Sequence, residues 1–156
     1  MTQRSVPELS FAFEALVDLD PTLHVGQSGG GGVAFTPITG GTVRGPRLNG
    51  TVLGGGGDWS VTRSDDVTEL DARYLVRAED GAVIDILNRG FWVASPEVEA
   101  ELEAGREVDP SRYYYRTQPV FRTDAPAHAW LTRTVFVGLA HDGGPDRVRI
   151  EFFALG

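Results

Sequence analysis

The chain has 156 residues, a length that suits one domain with one hydrophobic core spanning residues 1–156. Its 22 acidic and 14 basic residues give a net charge of −8 at pH 7, which disfavours nucleic acid as a partner because phosphates are repelled. Every basic residue is Arg and Cys is absent, which excludes Schiff-base lysines, disulfides and thiolate chemistry. The N-terminus lacks an apolar signal core and no run approaches transmembrane length, so the sequence predicts a cytoplasmic protein without a membrane partner.

Short strands separated by glycine and proline turns are predicted for the first part of the chain. Apolar and polar residues alternate over residues 9–17, a period that is typical of a strand with one buried face. Further strands are predicted over residues 23–27 and 33–38, and residues 42–53 are predicted to form one long strand.

A run of four glycines, residues 54–57, ends this long strand and is followed by Asp58 and Trp59. Glycine tolerates unusual backbone angles and weakens strands, so the run predicts a hinge or a pocket wall. A carboxylate at such a place is a candidate for chemistry, because loops on a rigid sheet often carry function. The alternative is a plain turn with a solvated Asp58 and a core Trp59.

The middle of the chain contains the clearest strand signal. After a short strand over residues 59–63, residues 67–78 alternate, and one face carries Leu70, Ala72, Tyr74 and Val76. Asp80-Gly81 is a strong hairpin signal, so residues 82–89 are predicted to return antiparallel.

One helix and three strands are predicted for the last part of the chain. Ser95 can cap a helix over residues 96–104, because Pro suits the first helical position and acidic residues favour the first turn. Strands are predicted over residues 113–123, 129–140 and 147–154. On the last strand, alternation places one set of side chains in the core, namely Val148, Ile150 and Phe152.

This pattern predicts an all-β fold, a single antiparallel β-barrel of about eight to ten strands with one short surface helix. A barrel is favoured over a sandwich because charged and apolar residues alternate on several long strands. One set of faces must be apolar and packed, and the other either meets water or lines a polar cavity.

Several signatures occur together and in order along residues 9–153, and as a set they resemble one known family. They are Thr39-Gly40-Gly41-Thr42, Gly55-Gly56-Gly57-Asp58-Trp59, Leu70-Asp71-Ala72-Arg73-Tyr74, Asp80-Gly81-Ala82-Val83-Ile84, Tyr113-Tyr114-Tyr115-Arg116-Thr117 and Ala129-Trp130-Leu131-Thr132-Arg133. The chain resembles the family known as domain of unknown function 3237.

The resemblance implies a compact antiparallel β-barrel, similar in shape to small ligand-binding and cyclase barrels, and implies little about activity. The chain departs from the family pattern at two positions. Gly57 stands where the family usually has Ala, and Thr132 stands where it usually has Asn. The second departure removes an amide and any hydrogen bond that the amide would make.

Four polar side chains are the candidates for catalysis: Asp58, Arg73, Tyr114 and Arg116. Asp71 and Arg73 share one strand face, as do Tyr114 and Arg116, because a strand directs alternate side chains to one side. If these faces line a cavity, Asp58 could act as a base and an Arg could hold an anionic oxygen. The alternative is an Asp–Arg ion-pair network that closes one end of the barrel.

Five further residues are candidates for substrate binding: Trp59, Tyr74, Asn88, Trp130 and Arg133. The aromatic residues either fill the core or form an apolar pocket wall. Tyr113 and Tyr115 face opposite to Tyr114, so at least one phenol is expected in the interior. The three His residues lack the spacing of a zinc site, and the glycine runs lack the Lys and helix of a phosphate site, so neither a metal nor a cofactor is predicted.

The residues favour a cofactor-independent enzyme that isomerises, cyclises or eliminates an apolar small molecule in the barrel cavity, with secondary metabolism as its setting. The alternative is a non-catalytic barrel that binds or carries a small molecule. A third interpretation is that the barrel faces drive formation of a homo-oligomer.

Overall fold

A computed structural model describes residues 2–156 and contains one ten-stranded sheet in which all strand pairs are antiparallel. The strands are β1 (Leu9–Leu19), β2 (Leu23–Ser28), β3 (Gly31–Arg44), β4 (Gly50–Val52), β5 (Gly56–Thr62), β6 (Thr68–Ala78), β7 (Val83–Ala94), β8 (Tyr113–Arg122), β9 (Phe136–Asp142) and β10 (Arg147–Leu155). The helix α1 (Pro96–Glu103) and two 3-10 helices, Pro110–Arg112 and Pro126–Arg133, complete the described chain.

Strand β1 closes the sheet into a barrel because it pairs with β10 on one side and with β3 on the other. Eight strands form the closed barrel, and two extra strands extend it. Strand β2 pairs with β3. Strand β4 pairs with both β3 and β6, the same two strands with which β5 pairs. The predicted antiparallel β-barrel is confirmed.

A hydrophobic core fills one end of the barrel. Phe13, Phe121, Phe136 and Phe152 are nearly inaccessible to solvent, and the rings of Phe13 and Phe152 lie 4.9 Å apart between centroids. On β10, Ile150 and Phe152 are buried whereas the intervening Glu151 is on the outer face. The predicted face of this strand is therefore confirmed, and the packed aromatic end leaves the other end free for a cavity.

The predicted helix is also confirmed as α1. Its N-cap is Ser95, whose hydroxyl accepts a hydrogen bond from the backbone N–H of Val98 at 3.2 Å, and Pro96 occupies the first helical position. Val98 is the buried residue of this helix. Glu99 accepts a hydrogen bond of 3.2 Å from the indole of Trp92, which ties the helix to β7.

The predicted strands over residues 33–38 and 42–53 have the wrong boundaries. Strand β3 continues through Pro37, because this residue lies between the part of β3 that pairs with β2 and the part that pairs with β1. The long strand is interrupted after Arg44, where the side chain of Asn49 bonds to both the N–H and the carbonyl of Gly45 and closes a loop. The last two glycines of the run 54–57 belong to β5, so the run is only partly a turn.

The prediction of a strand over residues 129–140 is wrong for its first half. Pro126 opens a 3-10 helix that extends to Arg133, and the strand begins at Phe136. Two hydroxyls stabilise this helix, since Thr132 donates to the carbonyl of Ala129 at 2.8 Å and Thr134 donates to that of Trp130 at 2.7 Å. Local hydrogen bonds of this kind compete with strand pairing.

Candidate active site

The end of the barrel away from the phenylalanine core contains a cavity with a volume of about 1320 Å³. Inward-facing side chains of β3, β5, β6, β7 and β8 line it, among them Thr36, Asp58, Ser60, Leu70, Trp92 and Tyr115. The segment between α1 and β8 contributes further lining residues at the mouth. The cavity is large enough for a drug-sized molecule and combines aromatic walls with hydroxyl and carboxyl groups.

Asp58 reaches the cavity wall because β5 alternates: Asp58 and Ser60 line the cavity, whereas Trp59 does not. One carboxylate oxygen of Asp58 accepts a hydrogen bond of 2.8 Å from the backbone N–H of Asp71. Burial raises the pKa of Asp58 to about 6, despite this hydrogen bond, which lowers it. Within residues 2–156, no Arg or His forms an ion pair with this carboxylate.

Tyr115 lies near Asp58 on the inner wall and was not among the sequence-predicted site residues. Its ring packs edge-on against Trp92 with centroids 5.2 Å apart. Burial raises the pKa of this phenol, and the negative charges of Asp58 and Asp142 raise it further. Tyr115 therefore stays protonated near neutral pH and can donate a hydrogen bond into the cavity. The expectation that Tyr113 or Tyr115 faces the interior is confirmed for both residues.

A second carboxylate lies at the cavity rim, at the end of β9. The backbone N–H of Asp142 donates a hydrogen bond of 3.0 Å to the phenol oxygen of Tyr113. Burial raises the pKa of Asp142 as well, although this residue is more exposed than Asp58. The cavity therefore has the carboxyl group of Asp58 at its wall and that of Asp142 at its rim.

The structure does not bring the other predicted catalytic residues to Asp58. Arg73 lies on the outer face of β6 and forms an ion pair of 3.2 Å with Asp85. Because Tyr115 faces inward, its neighbours Tyr114 and Arg116 face outward, and the guanidinium of Arg116 bonds to the backbone carbonyl of Tyr115 at 2.9 Å. On these strands the apolar face, rather than the charged one, lines the interior.

The predicted substrate-binding residues lie in three different parts of the barrel. Trp59 is half exposed on the outer face and stacks on Phe35 with centroids 4.4 Å apart. Tyr74 and Asn88 point into the barrel and are buried. Trp130 and the exposed Arg133 belong to the 3-10 helix at the opposite end of the barrel from the cavity, where Trp130 packs on Phe136.

Among residues 2–156, no three His, Cys, Asp or Glu side chains are grouped so that they could hold a metal ion. In the same residues, no helix has the length and apolar character needed to cross a membrane.

These features define the class of protein: a small closed antiparallel β-barrel with an aromatic core at one end and an acidic, aromatic-walled cavity at the other. A family model described as "protein of unknown function (DUF3237)" matches residues 7–155. The chain belongs to this family.

Known proteins similar to the chain include both uncharacterised and enzymatic members. The UPF0311 protein of Clostridium acetobutylicum is 34% identical over 154 residues, which cover 97% of each chain. The crystal structure of a conserved protein of unknown function from Rhodopseudomonas palustris has a TM-score of 0.92 and 33% identity, and the match covers 98% of this chain and 100% of that one. A hydroalkoxylation enzyme of Penicillium herquei is 37% identical over 78 residues, which are 50% of this chain and 52% of that one.

Proposed function

We propose that the protein is a cofactor-independent enzyme that isomerises, cyclises or eliminates an apolar small molecule, with Asp58 as the residue that transfers the proton. The observation that carries this proposal is the environment of Asp58. Its carboxyl lines the cavity, has one oxygen held by the backbone N–H of Asp71, and has a pKa raised by burial to about 6.

A carboxyl group with such a pKa can both give and take a proton near neutral pH, which is what efficient general acid–base catalysis requires. The hydrogen bond from Asp71 fixes the orientation of the carboxyl, so that its second oxygen is free to meet the ligand. Tyr115 complements this group as a protonated phenol that can hold an oxygen atom of the substrate. Arg73, Arg116 and Tyr114 have no part in this proposal, because they lie on the outer face.

The cavity wall supports a substrate that is mainly apolar and carries hydroxyl or carbonyl groups. Trp92 and Tyr115 offer flat aromatic contact and Leu70 adds aliphatic contact. Thr36 and Ser60 offer hydroxyls that can orient polar substituents. The volume of about 1320 Å³ leaves room for a molecule of several rings.

Cyclisation is supported by the relative from Penicillium herquei, which is named a hydroalkoxylation enzyme. Hydroalkoxylation adds the O–H of an alcohol across a C=C bond, and within one molecule it closes a ring. In the proposed step, protonated Asp58 gives its proton to one alkene carbon while the hydroxyl oxygen bonds to the other carbon. The oxygen then returns its proton to Asp58, so the residue ends in its starting state and neither an oxidant nor a reductant is needed.

A turnover assay on a neutral alkenyl phenol tests this proposal, and ortho-allylphenol is the simplest such probe. Because the proposed step needs protonated Asp58, we expect wild-type ring closure to slow as the pH rises above about 6. Asp58→Asn should reduce the rate at least about 100-fold, since general acid–base catalysis typically contributes that much. Tyr115→Phe should reduce it less, because the phenol orients the substrate and does not transfer the proton.

The matched control is Tyr114→Phe, which removes the same hydroxyl from the next residue on the outer face of β8 and should leave the rate unchanged. Ring closure at the wild-type rate by a folded Asp58→Asn variant would contradict the assignment of Asp58. Tight binding of the probe by the wild type without any turnover would instead favour a carrier barrel.

A further inference from the structure

Three side-chain polar atoms are buried inside the barrel without a hydrogen-bond partner within 3.5 Å among residues 2–156. Tyr74, Asn88 and Thr117 are only 3%, 2% and 5% exposed. The phenol oxygen of Tyr74, the amide oxygen of Asn88 and the hydroxyl of Thr117 all lack a partner. A buried polar group without a partner is destabilising, so native proteins rarely keep several of them together.

The strand register places these three groups side by side. Tyr74 pairs with Ile86 and Thr117 pairs with Gly90, so both are diagonal neighbours of the intervening inward residue Asn88. Burial raises the pKa of the Tyr74 phenol, and a long hydrogen bond from the amide of Asn88 offsets part of this effect. The three groups therefore form one polar cluster on the inner faces of β6, β7 and β8.

The same register connects this cluster to the cavity. Asp58 pairs with Ala72, and Ala72 pairs with Asn88, so only a methyl side chain separates the carboxyl of Asp58 from the amide of Asn88 along this row. The cavity is lined by Asp58 and Leu70 from the neighbouring positions. The cluster thus lies beneath the cavity, between it and the phenylalanine core.

We propose that Tyr74, Asn88 and Thr117 form a polar subsite at the cavity floor that binds one hydroxyl-type oxygen, from either a water molecule or a ligand. The hydrogen-bonding capacities of the three side chains favour an oxygen that carries a proton, as in water or a hydroxyl group. The amide oxygen of Asn88 needs a donor, whereas the hydroxyls of Tyr74 and Thr117 can each donate. A water or a hydroxyl group can donate and accept at once, which an ether or an ester oxygen cannot.

The subsite does not depend on catalysis, because a carrier barrel and an enzyme would both use it to orient a ligand. Its position next to Asp58 adds to the proposed function, since a hydroxyl bound at the floor would be held beside the carboxyl. The two proposals can fail separately. If the turnover assay contradicts the role of Asp58, the subsite is not affected, and if the subsite is empty, the assignment of Asp58 is not affected.

High-resolution crystal structures of the wild type, alone and with beta-naphthol, test the subsite directly. We expect an oxygen atom within hydrogen-bond distance of the three groups in both structures: a water in the first, and either the same water or the naphthol hydroxyl in the second. Two structures in which the three side chains meet no such oxygen would overturn the proposal.

Binding measurements then distinguish the two sources of the oxygen. If the ligand hydroxyl enters the subsite, beta-naphthol should bind the wild type about tenfold more tightly than naphthalene, and the isosteric Thr117→Val should remove most of that preference. If water remains in the subsite, Thr117→Val should leave the preference unchanged but lower the thermal unfolding midpoint, because the water loses a partner. Thr51→Val, which makes the same change at an exposed position of β4, is the matched control and should alter neither quantity.

Discussion

At the scale of single residues, Asp58 is largely buried and has no ion-pair partner among residues 2–156. Desolvation favours the neutral form of its carboxyl, and the one backbone hydrogen bond from Asp71 does not reverse this effect. The outward Asp85 is different, because Arg73 and Arg122 contact it and lower its pKa although desolvation acts against them. Asp85 therefore stays ionised in its ion pairs on the outer surface, whereas Asp58 is able to exchange a proton near neutral pH.

The raised pKa of Asp58 predicts a specific pH dependence of stability. The folded state holds the proton up to about pH 6, whereas the unfolded state releases it near the ordinary aspartate pKa of 3.8, so the folded state binds more protons between these values. The stabilisation from this proton is complete below about pH 4 and is lost as the pH rises through about 6. The lost stability should be on the order of 3 kcal/mol.

Urea denaturation of the wild type and of Asp58→Asn across this range measures the effect. The difference between their free energies of unfolding should change in favour of Asp58→Asn as the pH rises, since Asn does not titrate and can still accept the hydrogen bond from Asp71. Groups that both proteins share cancel in this difference. A difference that stays constant from about pH 4 to 7 would show that the carboxyl is not desolvated.

The sequence predicts the location of Asp58 but not its partners, for a physical reason. The glycine run and the strand that follows it predict that the carboxyl of Asp58 lies at the mouth or wall of the cavity. Alternation divides β6 and β8 into two faces, but composition alone does not decide whether the charged face or the apolar face lines a barrel cavity. The charged faces lie outside, so Arg73 and Arg116 are separated from Asp58, and Tyr115 rather than Tyr114 takes the inner position.

At the scale of elements, the alternation of residues along β10 is sufficient to predict which face of the strand is buried. Its inner face carries Val148, Ile150 and Phe152, whereas Arg149 and Glu151 lie between them on the outer face, so only one orientation buries these apolar side chains without burying charge. Boundaries that depend on distant residues were not predictable. The path of β3 through Pro37 is set by pairing with β1 and β2. The 3-10 helix Pro126–Arg133 has a different cause, because local hydroxyl bonds prevail there over the strand pattern.

Phe152→Ala tests the core face of β10. The side chain is fully buried and contacts the rings of Phe13 and Phe121, so we expect the free energy of unfolding to fall by about 3–5 kcal/mol. Phe153→Ala is the matched control on the outer face, where the ring is only partly buried against Phe11, and it should cost less. A loss below about 1 kcal/mol for Phe152→Ala in chemical denaturation would show that the face is wrongly assigned.

Substitution of Gly56 provides a second test at this scale, because this glycine allows β5 to approach β6 closely. A Cβ atom at this position would overlap the backbone carbonyl of Arg73 and the Cβ of Tyr74. Gly56→Ala should therefore lower the free energy of unfolding by about 1–3 kcal/mol, the usual cost of overpacking.

Gly40→Ala is the matched control for this substitution. The nearest atom to a Cβ at Gly40 is the carbonyl oxygen of Val52 at 3.8 Å, an ordinary contact. Its effect should stay within about 0.5 kcal/mol. Equal effects of the two substitutions in thermal or urea denaturation would mean that β5 and β6 are not closely packed at Gly56.

At the scale of the whole molecule, the barrel divides into a packed end and an end that contains the cavity. The phenylalanine cluster fills the first, and the polar layer of Tyr74, Asn88 and Thr117 separates it from the cavity. The family and the fold follow from patterns along the whole chain, whereas the identity of the ligand depends on a few inward positions. The expected homo-oligomer stays a prediction.

The central claim is that Asp58 exchanges a proton with a small molecule bound in the cavity, and deuterium incorporation measures this exchange directly. The protein is incubated in heavy water with a panel of neutral alkenyl phenols, and the products are analysed by mass spectrometry. We predict carbon-bound deuterium in a product of the wild type and of Tyr114→Phe, and none above the protein-free background with Asp58→Asn. A probe that a crystal structure shows beside Asp58 but that gains no deuterium from the wild type would contradict the claim.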